Sequence, residues 1–260
     1  FQLSRTLQFK PTVAVALNLS SNHFDWHEGL EDYAQSKAKI LSNQSFNDSA
    51  VLNNADEWSR SLSEKFLGKV YWFDGSSGDR NEAAVMAVIK ALGFEIGKDQ
   101  ELLEGFSRAA HRRQSLSPVQ DVLWVNDSKS TNPASTLFAV EQENKPIILL
   151  LGGRNKGMEF AQLREMPKEK IKSIIAFGES ASQIKKELKA YFSIYEVENL
   201  DQAVEKAFVE AKRGEIVLFS PACASFDQYK NYEQRGDHFV RLVDSLRKGS
   251  HSGYALDRND

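Results

Sequence analysis

At 260 residues, with 41% hydrophobic, 10% aromatic and 27% charged side chains, the chain holds apolar material for one large or two ordinary domains, which excludes a disordered or low-complexity protein. A formal charge of -3 and a pI near 6.0 leave no global basic field for nucleic acid or an anionic membrane, so any anion site must be local. The lone Cys223 cannot close an internal disulfide, which favours a reducing, cytoplasmic setting, and no run approaches the roughly 18 apolar residues of a membrane span.

In chain order, "VAVALNL" (13–19) reads as a buried strand. "GLEDYAQSKAKIL" from Gly29 follows as a helix with Leu30, Tyr33, Lys37 and Ile40 on one face. "AVLNN" (50–54) is a strand, Asp56 to Phe66 a helix, "KVYWF" (69–73) a strand, and "NEAAVMAVIKALG" an Ala-rich helix closed by Gly93. A helix over "KDQELLEGFSRA" leads into the basic "HRRQ" (111–114). Beyond residue 110 or so the alternation is regular: "DVLWVND" and a helix from Pro133; "PIILLLGG" and a short helix near Phe160; "SIIAFGE" and a helix to Tyr191; "IYEV" and a helix to Lys212; "EIVLFS" and a long C-terminal helix. Solid apolar strands, each followed by an amphipathic helix, are what a parallel sheet covered on both faces requires. The fold class is therefore α/β, a doubly wound Rossmann-like domain preceded by part of another α/β unit, with no internal repeat.

In such sheets ligands bind beyond the carboxyl ends of the strands, which selects the loops "NDSKSTNP", "GGRNKG", "GES" and "SPACASFDQ". In the first, Asp127 suits sugar hydroxyls, Lys129 supplies a cation, and Thr131 sits before a helix, either as a plain cap or as an anion ligand. In the second, the glycines explain a turn, while Lys156 is suited to a carboxylate or phosphate. It is neither GxGxxG nor a Walker A loop, because Lys156 is followed by Gly157. Cys223 reads as a small buried thiol rather than a nucleophile, for want of a histidine partner. In the first unit, His23, Asp25 and His27 in "NLSSNHFDWH" suit a divalent metal, a phosphate or mere surface contacts. Lys37 on an apolar helix face suits snorkelling or a special role.

Taken together, "FQL", "NLSSNHFDWH", "YAQSKAKI", "HRRQ", "NDSKSTNPAST", "LLLGGRNKGMEF" and "LFSPACASFDQYKNYEQRGDHF" resemble, in order, the landmarks of the Mur ligases of bacterial peptidoglycan assembly, over Phe1 to about Leu246. Within that family the branch adding D-glutamate to UDP-N-acetylmuramoyl-L-alanine is the most similar; other Mur-type or folylpolyglutamate-synthase-like ligases, or a non-catalytic amino-acid-binding module, are the alternatives. The resemblance implies that residues 1–108 are the end of a P-loop-type ATPase central domain, 109–248 the C-terminal domain, and 249–260 a tail. It also implies an earlier portion with the P-loop lying before Phe1, so that this piece alone is inactive. ATP and Mg2+ are the implied cofactors, UDP-N-acetylmuramoyl-L-alanine and D-glutamate the substrates, with no nucleic acid and a monomeric state. By the same resemblance His23 and Lys37 ligate magnesium, Lys37 as a carbamate, and Lys129 joins them in catalysis. Asn81, Arg112 and Asp127 contact the nucleotide, and Thr131, Lys156, Ser225 and Tyr232 form the D-glutamate pocket.

Overall fold

A computed structural model describes residues 2–20, 26–74, 80–94 and 109–250. The chain divides into two units, Phe1–Phe106 and Ser107–Asp260.

In the first unit β1 (Val13–Ala16), β2 (Ser49–Asn53) and β3 (Lys69–Phe73) pair in parallel in that spatial order. Three helices follow the strands: α1 (Leu30–Ala38), α2 (Glu57–Ser63) and α3 (Arg80–Ala91). Central β2 is buried on both faces. Val51, with Phe73, meets Ala84 and Ala87 of α3, whereas Ala50 and Leu52 meet Trp58 and Leu62 of α2. Helix α2 starts where the sequence placed it, because extended Asp56 accepts the Ser59 amide as a side-chain cap. Helix α3 closes through Gly93 at φ +81°, with the Phe94 amide donating back to Ile89.

The second unit is a six-stranded sheet in the order β4-β5-β9-β6-β7-β8, formed by β4 (Gln114–Ser115), β5 (Leu123–Asn126), β6 (Ile147–Gly152), β7 (Ile171–Phe177), β8 (Ile194–Val197) and β9 (Ile216–Ala222). All neighbours run parallel except β4, which is antiparallel to β5. Helices α4 (Pro133–Glu141), α5 (Ala181–Leu188), α6 (Leu200–Glu210) and α7 (Tyr232–Ser250) cover both faces. Ile147, Leu149 and Leu151 of β6 pack with Val140 and Ile184, while Ile148 and Leu150 pack with Val204 and Phe239 on the opposite side. A strand buried on both faces has no polar alternation, which is why these segments read as apolar runs.

The structure departs from the sequence reading at a few points. The sheet is mixed, since the two-residue β4 is held by tertiary pairing and carries no apolar signal. The short helix near Phe160 is a 3-10 turn, Ala161–Glu165. The helix expected over "KDQELLEGFSRA" lies, apart from Ala109, outside the described residues. Strands β5, β9 and β6 are neighbours, so their carboxyl ends open side by side. Pro221, near the end of central β9, has no N–H for the ladder, and the register with β6 shifts there between Leu150 and Gly152. Ala222 takes up the change at φ +58°.

Candidate functional site

Beyond the carboxyl edge of the second sheet, backbone hydrogen bonds stitch the four candidate loops together, the Ser180 amide of "GES" donating to the Gly153 carbonyl at 3.0 Å. The Ala222 amide donates to the Ser130 carbonyl at 3.0 Å, tying the segment after β9 to the one after β5. Arg154 and Ala224 exchange N–H to C=O bonds of 2.8 and 3.0 Å, tying it to the segment after β6. Thr131 follows Ser130, Lys156 lies two residues past Arg154, and Ser225 follows Ala224, so the residues expected to form one pocket sit on adjoining loops. The first two glycines of "GGRNKG" are required by this closeness. A Cβ on Gly152 would stand 2.0 Å from the Phe177 carbonyl oxygen, and one on Gly153 2.2 Å from that of Ala224.

Within these loops most polar side chains are spent on the scaffold, and a few are not. Asn132, not Thr131, caps α4 by accepting the Ser135 amide at 2.8 Å. The Ser130 and Ser220 hydroxyls donate to Asp127 Oδ2 at 2.6 and 2.9 Å, and the Arg113 amide donates to Oδ1 at 3.1 Å. Burial raises the Asp127 carboxyl above its ordinary value against the pull of those bonds. Its oxygens keep spare lone pairs, which is the capacity a ribose hydroxyl needs. Asn155 shapes the turn by donating to the Met158 carbonyl at 2.6 Å and accepting the Met158 amide at 2.9 Å. Among the described residues the Thr131 and Ser225 hydroxyls and the Lys156 ammonium have no hydrogen-bond partner.

Three cations on these segments act on one another. Burial lowers the Lys129 pKa first, then the Arg112 and Lys156 charges push it further down, with Glu233 opposing. The Lys129 ammonium sits 3.9 Å from the centre of the Tyr232 ring, a cation–π contact at the start of α7. In "HRRQ" the three basic side chains have separate fates. His111 is buried, and Arg113 pairs with Glu143 at 2.7 Å, which leaves Arg112 exposed. His111 and Arg113 hold φ of +63° and +47°, a strained turn of the sort that persists where surrounding structure enforces it. Arg112 and Lys156, whose charges act on Lys129, together with Lys129 itself and the uncommitted hydroxyls of the stitched loops, are groups suited to an anion.

One participant was missed in the sequence. Arg235 of α7 is fully buried beneath the loops. It donates to the Ser128 hydroxyl at 3.1 Å and to the carbonyls of Ser128, Cys223 and Gly152 at 2.9, 3.1 and 3.4 Å. A single guanidinium thus fastens three of the loop starts, and desolvation brings its pKa down to about 10. The available signal was its place on the apolar face of α7 with Phe239 and Leu242. Cys223 beside it is a buried thiol pushed up to about 12 by desolvation, which removes the nucleophile reading.

In the first unit, the Lys37 ammonium donates to the Asn18 carbonyl at 2.6 Å and lies 5.3 and 5.1 Å from the ring centres of Tyr33 and Trp58. Burial lowers its pKa, opposed by Asp56. His27 bonds Asp32 Oδ2 through Nδ1 at 2.8 Å and is committed to the start of α1. Asn81 is exposed in the first turn of α3, and His23 lies outside the described residues. As an ammonium, Lys37 repels a metal ion, and among the described residues no three His, Cys, Asp or Glu side chains gather to hold one.

Residues 1–92 match the family model for the Mur ligase middle domain, and residues 111–223 that for the Mur ligase, glutamate ligase domain. Among curated proteins, the chain is 35% identical to a UDP-N-acetylmuramoylalanine--D-glutamate ligase of Pseudothermotoga lettingae and 32% identical to one of Clostridioides difficile, over 95% of this chain in each case. It spans 63% of the length of either relative. Among solved structures, MurF of Acinetobacter baumannii aligns with a TM-score of 0.70 at 16% identity, covering 92% of this chain and 60% of that one. MurF ligase of Thermotoga maritima in complex with ADP aligns at 0.68 and 16%, covering 93% and 63%. At that identity the two structures speak for the fold alone.

Proposed function

The chain belongs to the Mur ligase family, and from that premise we propose that the protein carrying it is an ATP-dependent amide ligase adding D-glutamate to UDP-N-acetylmuramoyl-L-alanine. The observation that carries the reading is that Lys129 and Lys156 stand on stitched loops whose Thr131 and Ser225 hydroxyls stay uncommitted, with the turn carrying Arg112 tied to Lys129 through the His111 carbonyl. D-glutamate brings two carboxylates. Lys156 and the two hydroxyls hold them, and the Tyr232 ring walls the pocket beside Lys129. In the reaction the muramoyl-alanine carboxylate takes the γ-phosphoryl group of ATP, releasing ADP, and the D-glutamate amine then displaces phosphate from the acyl phosphate with loss of a proton. Phosphoryl transfer of this kind is positioning plus neutralisation of developing negative charge, which is the work assigned to Lys129 and Arg112. Asp127 holds the ribose, Asn81 the adenine.

Magnesium, when bound, neutralises phosphate charge, and His23 with Lys37 are its proposed ligands. Lys37 serves only after its neutral amine has added to CO2 and lost a proton, giving a carbamate; burial favours the neutral amine, against the Tyr33 and Trp58 rings and Asp56, which favour the ammonium. The proposed setting is the cytoplasm, where these soluble substrates would be met. The test is D-glutamate-dependent phosphate release by the whole protein that carries this chain, in wild type and Lys156→Ala. The expected result is a Michaelis constant for D-glutamate raised at least about tenfold, the loss of one charge-assisted bond pair. An unchanged constant overturns the role of Lys156, and no dependence on D-glutamate overturns the substrate.

A further inference from the structure

Outside the groups suited to an anion, the structure holds a second ordered cluster. The segment after Ser225 folds into a tight turn, with the amides of Gln228 and Tyr229 both donating to the Ser225 carbonyl at 3.2 and 2.8 Å. Ser225 is 2% exposed, and its neighbour Phe226 is 56% exposed at the tip. Each later residue of the turn reaches a different element. Asp227 accepts the Glu179 amide at 3.2 Å, Gln228 donates to the Glu198 carbonyl at 3.0 Å, and the Tyr229 hydroxyl meets His238 Nδ1 of α7 at 2.8 Å. The far side of the imidazole faces Asp201 in the first turn of α6, Nε2 to Oδ1 3.6 Å. The Tyr229 ring packs against the core cluster beneath, with its centre 5.8 Å from that of His238.

Desolvation, with Asp201 adding to it, pushes the Tyr229 phenol up to about 12, and its hydroxyl shares one hydrogen bond with Nδ1 whose direction follows the imidazole tautomer. In either tautomer the ring is held between the Tyr229 hydroxyl on one side and Asp201 on the other. Of the three tethers, the one at Tyr229 is the only one made by a partly buried side chain on each side, where a hydrogen bond resists water best.

We propose that the Tyr229–His238–Asp201 chain is a latch that positions Ser225 and Phe226 for the amino-acid substrate, with His238 as a positioning residue that never touches that substrate. This rests on the reading of Ser225 as part of the amino-acid pocket. The latch sets the affinity of that pocket and leaves the nucleotide contacts alone, because Asp127 and Arg112 are held by other bonds.

The test uses the whole protein with His238→Leu, which can neither donate to nor accept from the phenol, and His238→Gln, whose amide can do either. Two quantities are read: hydrogen exchange of the amides in 225–229, and the Michaelis constants for D-glutamate and ATP. Losing one partly buried hydrogen bond should speed exchange and raise the D-glutamate constant by about fivefold each in His238→Leu, with kcat and the ATP constant within about twofold. The glutamine variant restores both. Tyr229→Phe, which keeps the ring and removes only the hydroxyl, reproduces both shifts if the leucine variant folds poorly. Unchanged exchange in His238→Leu and Tyr229→Phe overturns the proposal, as does faster exchange with an unaltered D-glutamate constant. Wild-type protein with no D-glutamate-dependent turnover sinks the substrate assignment instead; the exchange comparison alone then decides the latch.

Discussion

Arg235 is the residue on which the second unit's loops converge, and its environment predicts how it fails. A buried guanidinium bonded to three carbonyls and a hydroxyl, with no carboxylate in the set, is held by geometry more than by charge pairing. Lysine keeps the charge and loses the fork. Arg235→Lys leaves at least two buried carbonyls without donors, and about 2–4 kcal/mol of unfolding free energy should be lost in urea titration. A loss under about 0.5 kcal/mol would mean the fork is dispensable. Cys223, next to it, gives a pH prediction. Its thiol is pushed from an ordinary 9.0 up to about 12, so folded and unfolded chains are equally protonated below pH 9. Above that the unfolded thiol ionises and the folded one does not, and stability declines as pH rises from about 9 toward 12. Cys223→Ala should flatten that alkaline decline in denaturation midpoints measured against pH. An identical slope in the variant would show that other groups produce it.

Glycines mark the element scale, where strand ends become loops. Gly152 sits at φ +152° with a carbonyl oxygen where its Cβ would go, whereas Gly157 sits at φ +76° with nothing within 4 Å. Gly157→Ala should therefore cost only the conformational strain, about 1 kcal/mol, and Gly152→Ala clearly more, about 3 kcal/mol, because β6 and β7 must part. Thermal midpoints in the reverse order would contradict the packing. The same contrast explains what the sequence let through. Strands such as "KVYWF" and "IYEV" coincide with β3 and β8, and helix starts at Asp56 and Pro133 were visible, since these depend on local pattern and caps. The pocket loops were visible as polar breaks after apolar runs. Within them, whether Thr131 or Asn132 is the cap, and that Ser130 and Ser220 are spent on Asp127, depend on partners 3 to 93 positions away. The apolar face of α7 marked Arg235 as buried, but its role was hidden for that reason, since its partner Ser128 is 107 positions distant. The polar, two-residue β4 was hidden because its order comes wholly from β5.

For the whole chain, the distribution of core predicts how it unfolds. Two clusters of buried residues lie on the faces of the six-stranded sheet, and two smaller ones lie on the faces of the three-stranded sheet. No cluster among the described residues draws from both units. The three-stranded unit also leaves Leu7, Phe46 and Leu67 between 77% and 85% exposed, so less of its apolar surface is removed from water. Separate cores of unequal size should melt separately, giving two steps in guanidinium, the first from residues 1–106. Tryptophan fluorescence can assign them, because Trp26, Trp58 and Trp72 lie in the first unit and fully buried Trp124 in the second. Leu52→Ala should lower only the first midpoint and Leu149→Ala only the second, each by the equivalent of about 3 kcal/mol, and Trp124→Phe should erase the fluorescence change of the second step. One transition moved equally by both leucine variants would mean that the units share their stability, and the loops of the second unit would then answer to substitutions in either sheet.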